Sequence, residues 1–184
     1  MNAIPPQPVR IETERLILRL HRPDDLAGRL AMTNDDAVVR FIGGETQDEE
    51  ENWTRILRYN GHWALFGWGV FAIEEKASGA FIGEAGFADF HRGLGDDFDP
   101  YPEGAWVFSG AAQGKGYATE VMEAAIAWRE RRFGPSRMVC LIAHENQASL
   151  RVAAKLGFAP FAERRYHDVQ RILLARPEGD GGTR

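Results

Sequence analysis

The stretch Gln113-Gly114-Lys115-Gly116-Tyr117-Ala118-Thr119 decides how this chain is read. It lies between an apolar run, Ala105 to Ser109, and a segment, Tyr117 to Phe133, in which Ala118, Val121, Met122, Ala125 and Trp128 fall on one face at helical spacing. A glycine-rich turn that opens a helix leaves several backbone N–H groups pointing outward at the positive end of the helix dipole, a site suited to a pyrophosphate. Spacing separates the competing phosphate loops. A Walker A loop requires Ser or Thr directly after Gly-Lys, but Gly116 stands there and Gly110 is one residue too near. A dinucleotide fingerprint requires a third glycine where Thr119 stands, and an acid about 20 residues on, where Arg137 and Met138 are found. On these residues alone, a plain glycine turn stays open as the other reading.

Outward from the loop, strands and helices alternate. Arg10 to Leu20 carries Leu16, Leu18 and Leu20 at period two and is expected as one half-buried strand. Pro23-Asp24-Asp25 ends it and starts a short helix through about Met32. Thr46-x-x-Glu49 matches a capping box for a second helix, with Asp48, Glu50 and Glu51 in its first turn and a stop expected at Asn60-Gly61. Trp68 to Glu74 and Ala80 to Phe90 read as a hairpin around Lys76-Ala77-Ser78-Gly79, and Arg92 to Glu103, rich in Gly, Asp and Pro, as a loop. Gly134-Pro135 ends the long helix. Met138 to Ala143 is a strand-length apolar run, Gln147 to Leu156 a short amphipathic helix closed by Gly157, and Phe161 to Ala175 holds two strands around Tyr166-His167-Asp168. The fold class expected is mixed α/β, one domain over residues 10–176 with tails at 1–9 and 177–184, the hairpins excluding a purely parallel sheet.

Bulk composition narrows the function. A chain of 184 residues, 44% hydrophobic and 27% charged, suits one ordinary globular domain. Its single cysteine, Cys140, cannot form a disulfide within the chain. A formal charge of −5 gives no support to a nucleic-acid partner, and no apolar run approaches the ~20 residues that span a bilayer. The start, Met1 to Pro8, lacks the basic residues and apolar core of a secretory signal. The expectations are therefore no nucleic acid, no membrane and a cytoplasmic location.

One further pattern fits the loop: Gln or Arg, two residues, Gly, one residue, Gly or Ala, met by Gln113, Gly116 and Ala118. Together with Ile11-Glu-Thr-Glu-Arg-Leu-Ile-Leu-Arg19, Trp106, Asn146-x-x-Ser149 and Lys155-Leu-Gly-Phe158, it makes the chain resemble the GNAT superfamily of acyl-CoA-dependent N-acetyltransferases, in its RimJ/RimL-like branch, over about residues 10–175. The resemblance implies a central, mostly antiparallel mixed sheet with a splayed pair of parallel strands, flanked by helices. It implies acetyl-CoA as co-substrate and no metal. The pantetheine arm would lie along Val107, Phe108 and Ser109, opposite Met138 to Ala143, and the pyrophosphate on the loop from Gln113 through Gly114, Lys115, Gly116, Tyr117, Ala118 and Thr119. Lys115 either adds charge there or is a solvated loop lysine. Asn146 would bond the pantetheine, which is compatible with capping the helix that starts at Gln147.

Attack of an amine on a thioester requires a neutral nucleophile, a donor to the carbonyl oxygen and a proton for the leaving thiolate. The proton donor frequent in the superfamily is a Tyr just before the Lys-Leu-Gly-Phe segment, where this chain has Ala153-Ala154. By resemblance to RimL-type enzymes, Ser149 is the candidate at the thiolate; its other reading is a capping hydroxyl. Glu103, near the start of the strand that would carry the thioester, is the candidate base and Glu84 its rival; either is otherwise a rim charge. Tyr166 and His167 are further candidates. His144 reads as a structural histidine, and Cys140 as a buried small hydrophobe, which disfavours an acyl-cysteine relay. Trp53, Trp63, Trp68 and Phe66 either roof the acceptor site or pack in the core. Asp96, Asp97, Asp99 and Glu103 form an acidic stretch expected to favour a cationic small molecule or a peptide N-terminus. The expected function is direct acetyl transfer to a primary amine in a ternary complex, by a monomer or homodimer. The missing Tyr leaves a non-catalytic acyl-CoA-binding sensor of the same fold as the alternative.

Overall fold

Leu16, Ile17 and Leu18 are buried side by side in a strand of only four residues, because the chain turns sharply just before them. The expected single strand over Arg10 to Leu20 is two, β1 (Arg10–Glu12) and β2 (Leu16–Arg19), paired antiparallel. Thr13 makes the turn: its N–H donates to the Leu16 carbonyl, and its hydroxyl accepts from the Leu16 N–H at 3.0 Å. The computed structural model describes residues 9–42 and 44–178, so the tails expected at 1–9 and 177–184 lie almost wholly outside the described residues.

Three helices follow, α1 (Asp25–Thr33), α2 (Asp36–Ile42) and α3 (Glu49–Phe66). The capping box of α3 is made by Asp48 and Glu51 rather than Thr46 and Glu49. Nor does α3 stop at Asn60-Gly61: it runs on to Gly67, which takes the left-handed conformation at φ 72°. A glycine inside a helix costs ~1 kcal/mol, and burial of Tyr59 and Trp63 on either side outweighs it.

Beyond α3 lie β3 (Val70–Glu75), β4 (Phe81–Ala88), β5 (Glu103–Phe108), a 3₁₀ turn (Gly110–Ala112), α4 (Tyr117–Phe133), β6 (Met138–Ala143), α5 (Gln147–Lys155), β7 (Ala159–Tyr166) and β8 (Val169–Arg176). The eight strands form one sheet in the order β1-β2-β3-β4-β5-β6-β8-β7. Every pairing is antiparallel except β5 with β6, which is parallel. Successive residues of β3 serve opposite faces. Phe71 and Ile73 join the main core with Val121 and Met122 of α4, whereas Val70 packs with Tyr59 of α3 and Ala88. Leu94 and Phe98, from the loop between β4 and β5, cover Val139 and Leu173. This is the mixed α/β class that the sequence pattern predicts, with the mostly antiparallel sheet and single parallel strand pair that the family resemblance implies.

Candidate active site

The parallel pair β5 and β6 touches at a single register position, Glu103 opposite Val139, and then opens. Beyond that point no strand among the described residues pairs with the β6-facing edge of β5, and a cavity of about 940 Å³ fills the opening. Gly104 to Phe108 line one wall, Cys140 to Ala143 the other, and α5 with the glycine loop closes one end. Side chains bridge what the backbones leave apart: the Trp106 indole N–H donates to the Ser149 hydroxyl at 3.3 Å.

The loop has the geometry of an anion cradle. Gly114 and Gly116 take φ 76° and 80°, a conformation that side chains strain, and Gly116 is the N-cap of α4 with no side-chain hydrogen bond capping the helix start. Side chains beneath hold it. Arg15 donates to the Lys115 carbonyl and to Glu120, and the Tyr117 hydroxyl donates to Glu75 at 2.7 Å. Gln113 turns back to the Phe108 carbonyl, and Asp35 accepts from the N–H of Gly110. Local sequence carries no signal for Arg15, Glu120 and Asp35 as a set, because these contacts join residues 75 or more positions apart. Gln113, Gly114, Gly116, Tyr117, Ala118 and Thr119 line the cavity, and Tyr117 is largely buried. The Lys115 ammonium lies 5.7 Å from the Tyr117 ring centroid, and Val107, Phe108 and Ser109 run directly into the turn before the loop. Asn146 accepts from the Ser149 N–H at 3.0 Å, as a helix cap does, and lines the cavity as well.

The two candidate bases differ in their surroundings. Glu84 sits in a closed network: Arg29 donates to both carboxylate oxygens at 2.9 and 3.2 Å, and the Tyr59 hydroxyl donates to Oε1 at 3.0 Å. Burial pushes its carboxyl up, but Arg29 and His21 pull it further the other way, far below the ordinary carboxylate range. Glu103 is held by Arg92 through two bonds of 2.6 and 2.7 Å, yet burial outweighs that pairing and pushes its carboxyl upward. Arg92 is steadied in turn by the Tyr166 hydroxyl, which accepts at 3.0 Å. Both glutamates, Tyr166 and His167 line the cavity.

Placement decides between several other readings. None of Trp53, Trp63, Trp68 and Phe66 lines the cavity; Trp63 packs on Phe71 and Trp128 in the core, while Trp53 and Phe66 are exposed. The acidic mouth does not form. Asp97 is paired with Arg164, Asp99 accepts from the Gly95 N–H, and of the four acids only Glu103 lines the cavity. His144, just past the end of β6, is 43% exposed, its Nε2 3.4 Å from Glu163. Cys140 is buried, and burial with the nearby Glu103 raises its thiol well above the ordinary range. Among the described residues there is no cluster of three or more His, Cys, Asp or Glu able to hold a metal ion, and no helix long and apolar enough to cross a membrane.

Comparison with known proteins agrees with this geometry. A family model for the acetyltransferase (GNAT) domain matches residues 15–159. YoaA of Bacillus subtilis (strain 168), described as an uncharacterised N-acetyltransferase, is 29% identical over 157 residues, which is 80% of this chain and 81% of that protein. A Bordetella pertussis structure assigned to the GnaT family of acetyltransferases superposes with a TM-score of 0.82 at 34% identity, covering 91% of this chain and 99% of the other. RimL, a ribosomal L7/L12 α-N-protein acetyltransferase solved with coenzyme A, has the same fold at 16% identity, with a TM-score of 0.73 over 92% of this chain and 98% of its own. The splayed strands, the glycine loop at a helix start and these likenesses place the chain in the GNAT acetyltransferase family, enzymes that move an acetyl group from acetyl-CoA to an amine.

Proposed function

We propose that the chain is a RimJ/RimL-like enzyme, its single domain spanning residues 10–176, that acetylates a primary amine directly within a ternary complex. The observation that carries this reading is the parting of β5 from β6 beside a glycine loop whose amides open onto the same cavity. An extended arm pairs with a free strand edge as an added strand would, and Val107, Phe108 and Ser109 supply that edge here. Gly114 to Thr119 would hold the pyrophosphate, with Lys115 at their edge and Asn146 on the pantetheine. When bound, acetyl-CoA supplies an activated thioester, so the protein need not form a covalent intermediate.

The chain's own residues then have three tasks. Glu103, with its carboxyl raised by burial, takes the proton of the incoming ammonium directly or through water. Ser149, anchored by Trp106, offers its hydroxyl proton at the thiolate. Glu84 holds Arg29 in place; its depressed carboxyl is a poor proton acceptor near neutral pH. The buried thiol of Cys140, held protonated, suits direct transfer rather than a relay. The test is steady release of CoA thiol from acetyl-CoA across peptides, polyamines and small amino compounds. Binding of acetyl-CoA without release for any amine would favour the sensor reading instead.

A further inference from the structure

The cavity carries more arginine than its carboxylates can neutralise. Arg29 is matched by Glu84 and Arg92 by Glu103. Arg55 and Arg58 on α3 and Arg171 on β8 line the same cavity, and among the described residues none of the three has a carboxylate partner. Arg55 and Arg58 are three residues apart on one helix face. The Arg58 guanidinium lies 5.4 Å from the Phe90 ring centroid and that of Arg92 lies 4.6 Å from the same ring. Aromatic rings orient such cations without cancelling their charge. Arg151 and Lys155, which also line the cavity, are carried by α5, the helix that holds Ser149.

We propose that the acceptor is a small amine that itself carries a carboxylate, gripped by Arg55, Arg58 and Arg171 while its nitrogen faces Glu103. This rests on the acetyltransferase reading above and names the substrate class for it. A guanidinium presents a planar fork that matches a carboxylate two bonds at a time, and three unpaired forks in one cavity leave a deficit of negative charge that such an acceptor fills. The same cations disfavour a second positive charge nearby, so they lower the pKa of the bound ammonium and help deliver the neutral amine that attack requires. A polyamine meets repulsion here instead. A small acceptor also suits the volume, since the pantetheine arm occupies part of the same cavity.

The experiment measures thiol release from acetyl-CoA with a panel of free amino acids, each beside its own carboxamide, plus a peptide with an acidic N-terminus and a polyamine. The expected result is a kcat/KM at least about tenfold higher for an acid than for its amide, carried mainly by KM. R55Q, R58Q and R171Q each compress that ratio toward one, and the lysine variants restore part of it. Equal rates for acid and amide, preference for the polyamine or the peptide, or arginine variants that raise KM for acetyl-CoA in place of the ratio would each overturn the proposal while leaving acetyl transfer intact. Absence of thiol release with every acceptor, despite acetyl-CoA binding followed by tryptophan fluorescence, would sink both readings together.

Discussion

The indole N–H of Trp106 donates to the hydroxyl of Ser149, joining β5 to α5 where their neighbouring strands have separated. The Ser149 amide is tied to Asn146 as well, so the hydroxyl is fixed from two sides while its own proton has no protein acceptor among the described residues. Ser149→Ala is expected to lower kcat on the order of 100-fold with KM for acetyl-CoA within about twofold. Trp106→Phe removes only the anchor and should cause a smaller loss of kcat, together with the ~1 kcal/mol typical of a lost hydrogen bond. Unchanged kcat in Ser149→Ala would reduce this hydroxyl to a helix-cap neighbour.

As the proposed base, Glu103 should set the acidic side of the rate profile. Its carboxyl lies above the ordinary value of 4.5, because burial disfavours the charged form more than Arg92 favours it. A base must be ionised to work, so kcat/KM should fall as pH drops through that raised value. Glu103→Gln should abolish the limb and cost on the order of 100-fold or more in rate. A limb that persists in the variant would move the base elsewhere.

Glu84 should behave in the opposite way. It is bound by Arg29, both side chains being nearly fully buried, and its carboxyl is depressed, so its stabilising contribution is complete above the ordinary carboxylate value and is lost as pH falls below it. Glu84→Gln leaves the Arg29 charge buried and poorly matched. The expected cost is about 3–5 kcal/mol, or a fall in Tm on the order of 10 °C, while the pH profile of the surviving activity keeps its acidic limb. A stable variant that has lost the limb would reverse the roles of the two glutamates.

Local pattern was enough to read the loop and the long helix: Gln113 to Thr119, Tyr117–Phe133 and Met138–Ala143 stand where spacing puts them. It failed where distant residues decide. Thr13 breaks an alternating run into a hairpin with a hydroxyl that periodicity does not register, and Tyr59 and Trp63 carry α3 through a glycine that local rules treat as a stop. The site divides in the same way. Glu103 and Ser149, candidates from chain position and from the family resemblance, both line the cavity, but the charge of the rest of its lining could not be read from the chain. Asp97 meets Arg164 across 67 residues and Arg29 meets Glu84 across 55, so a run of acids in sequence says nothing about the field in the cavity.

The glycine loop gives a test that separates strain from crowding. A Cβ on Gly116 would come no nearer than 3.6 Å to the Arg15 guanidinium, so Gly116→Ala is opposed only by its left-handed backbone at φ 80°, a penalty of roughly 1–2 kcal/mol. Relief comes by rotating the peptide that carries the anion-facing amides. KM for acetyl-CoA should rise severalfold, with only a small change in Tm. Gly83→Ala is the contrast: its Cβ would lie 2.5 Å from the Val107 carbonyl, so the loss should appear in Tm first.

His62, which does not line the cavity, should make stability depend on pH. Its Nδ1 lies 2.8 Å from the Trp68 carbonyl, which only an N–H can satisfy, and its Nε2 accepts from the Asp89 N–H at 2.9 Å. Both contacts are met by one neutral tautomer, with the proton on Nδ1, and a second proton would remove the Asp89 bond. Burial lowers the pKa of the ring below 6.5, so the unfolded chain takes up the proton before the folded one does. Stability from this residue is therefore complete above about pH 6.5 and declines as pH falls through the window beneath it. Thermal unfolding between pH 7.5 and 5.5 should show a fall in Tm that shrinks in His62→Gln, whose amide spans similar contacts without titrating. If the two proteins lose stability in parallel, the bridge between Trp68 and Asp89 does not need a neutral ring.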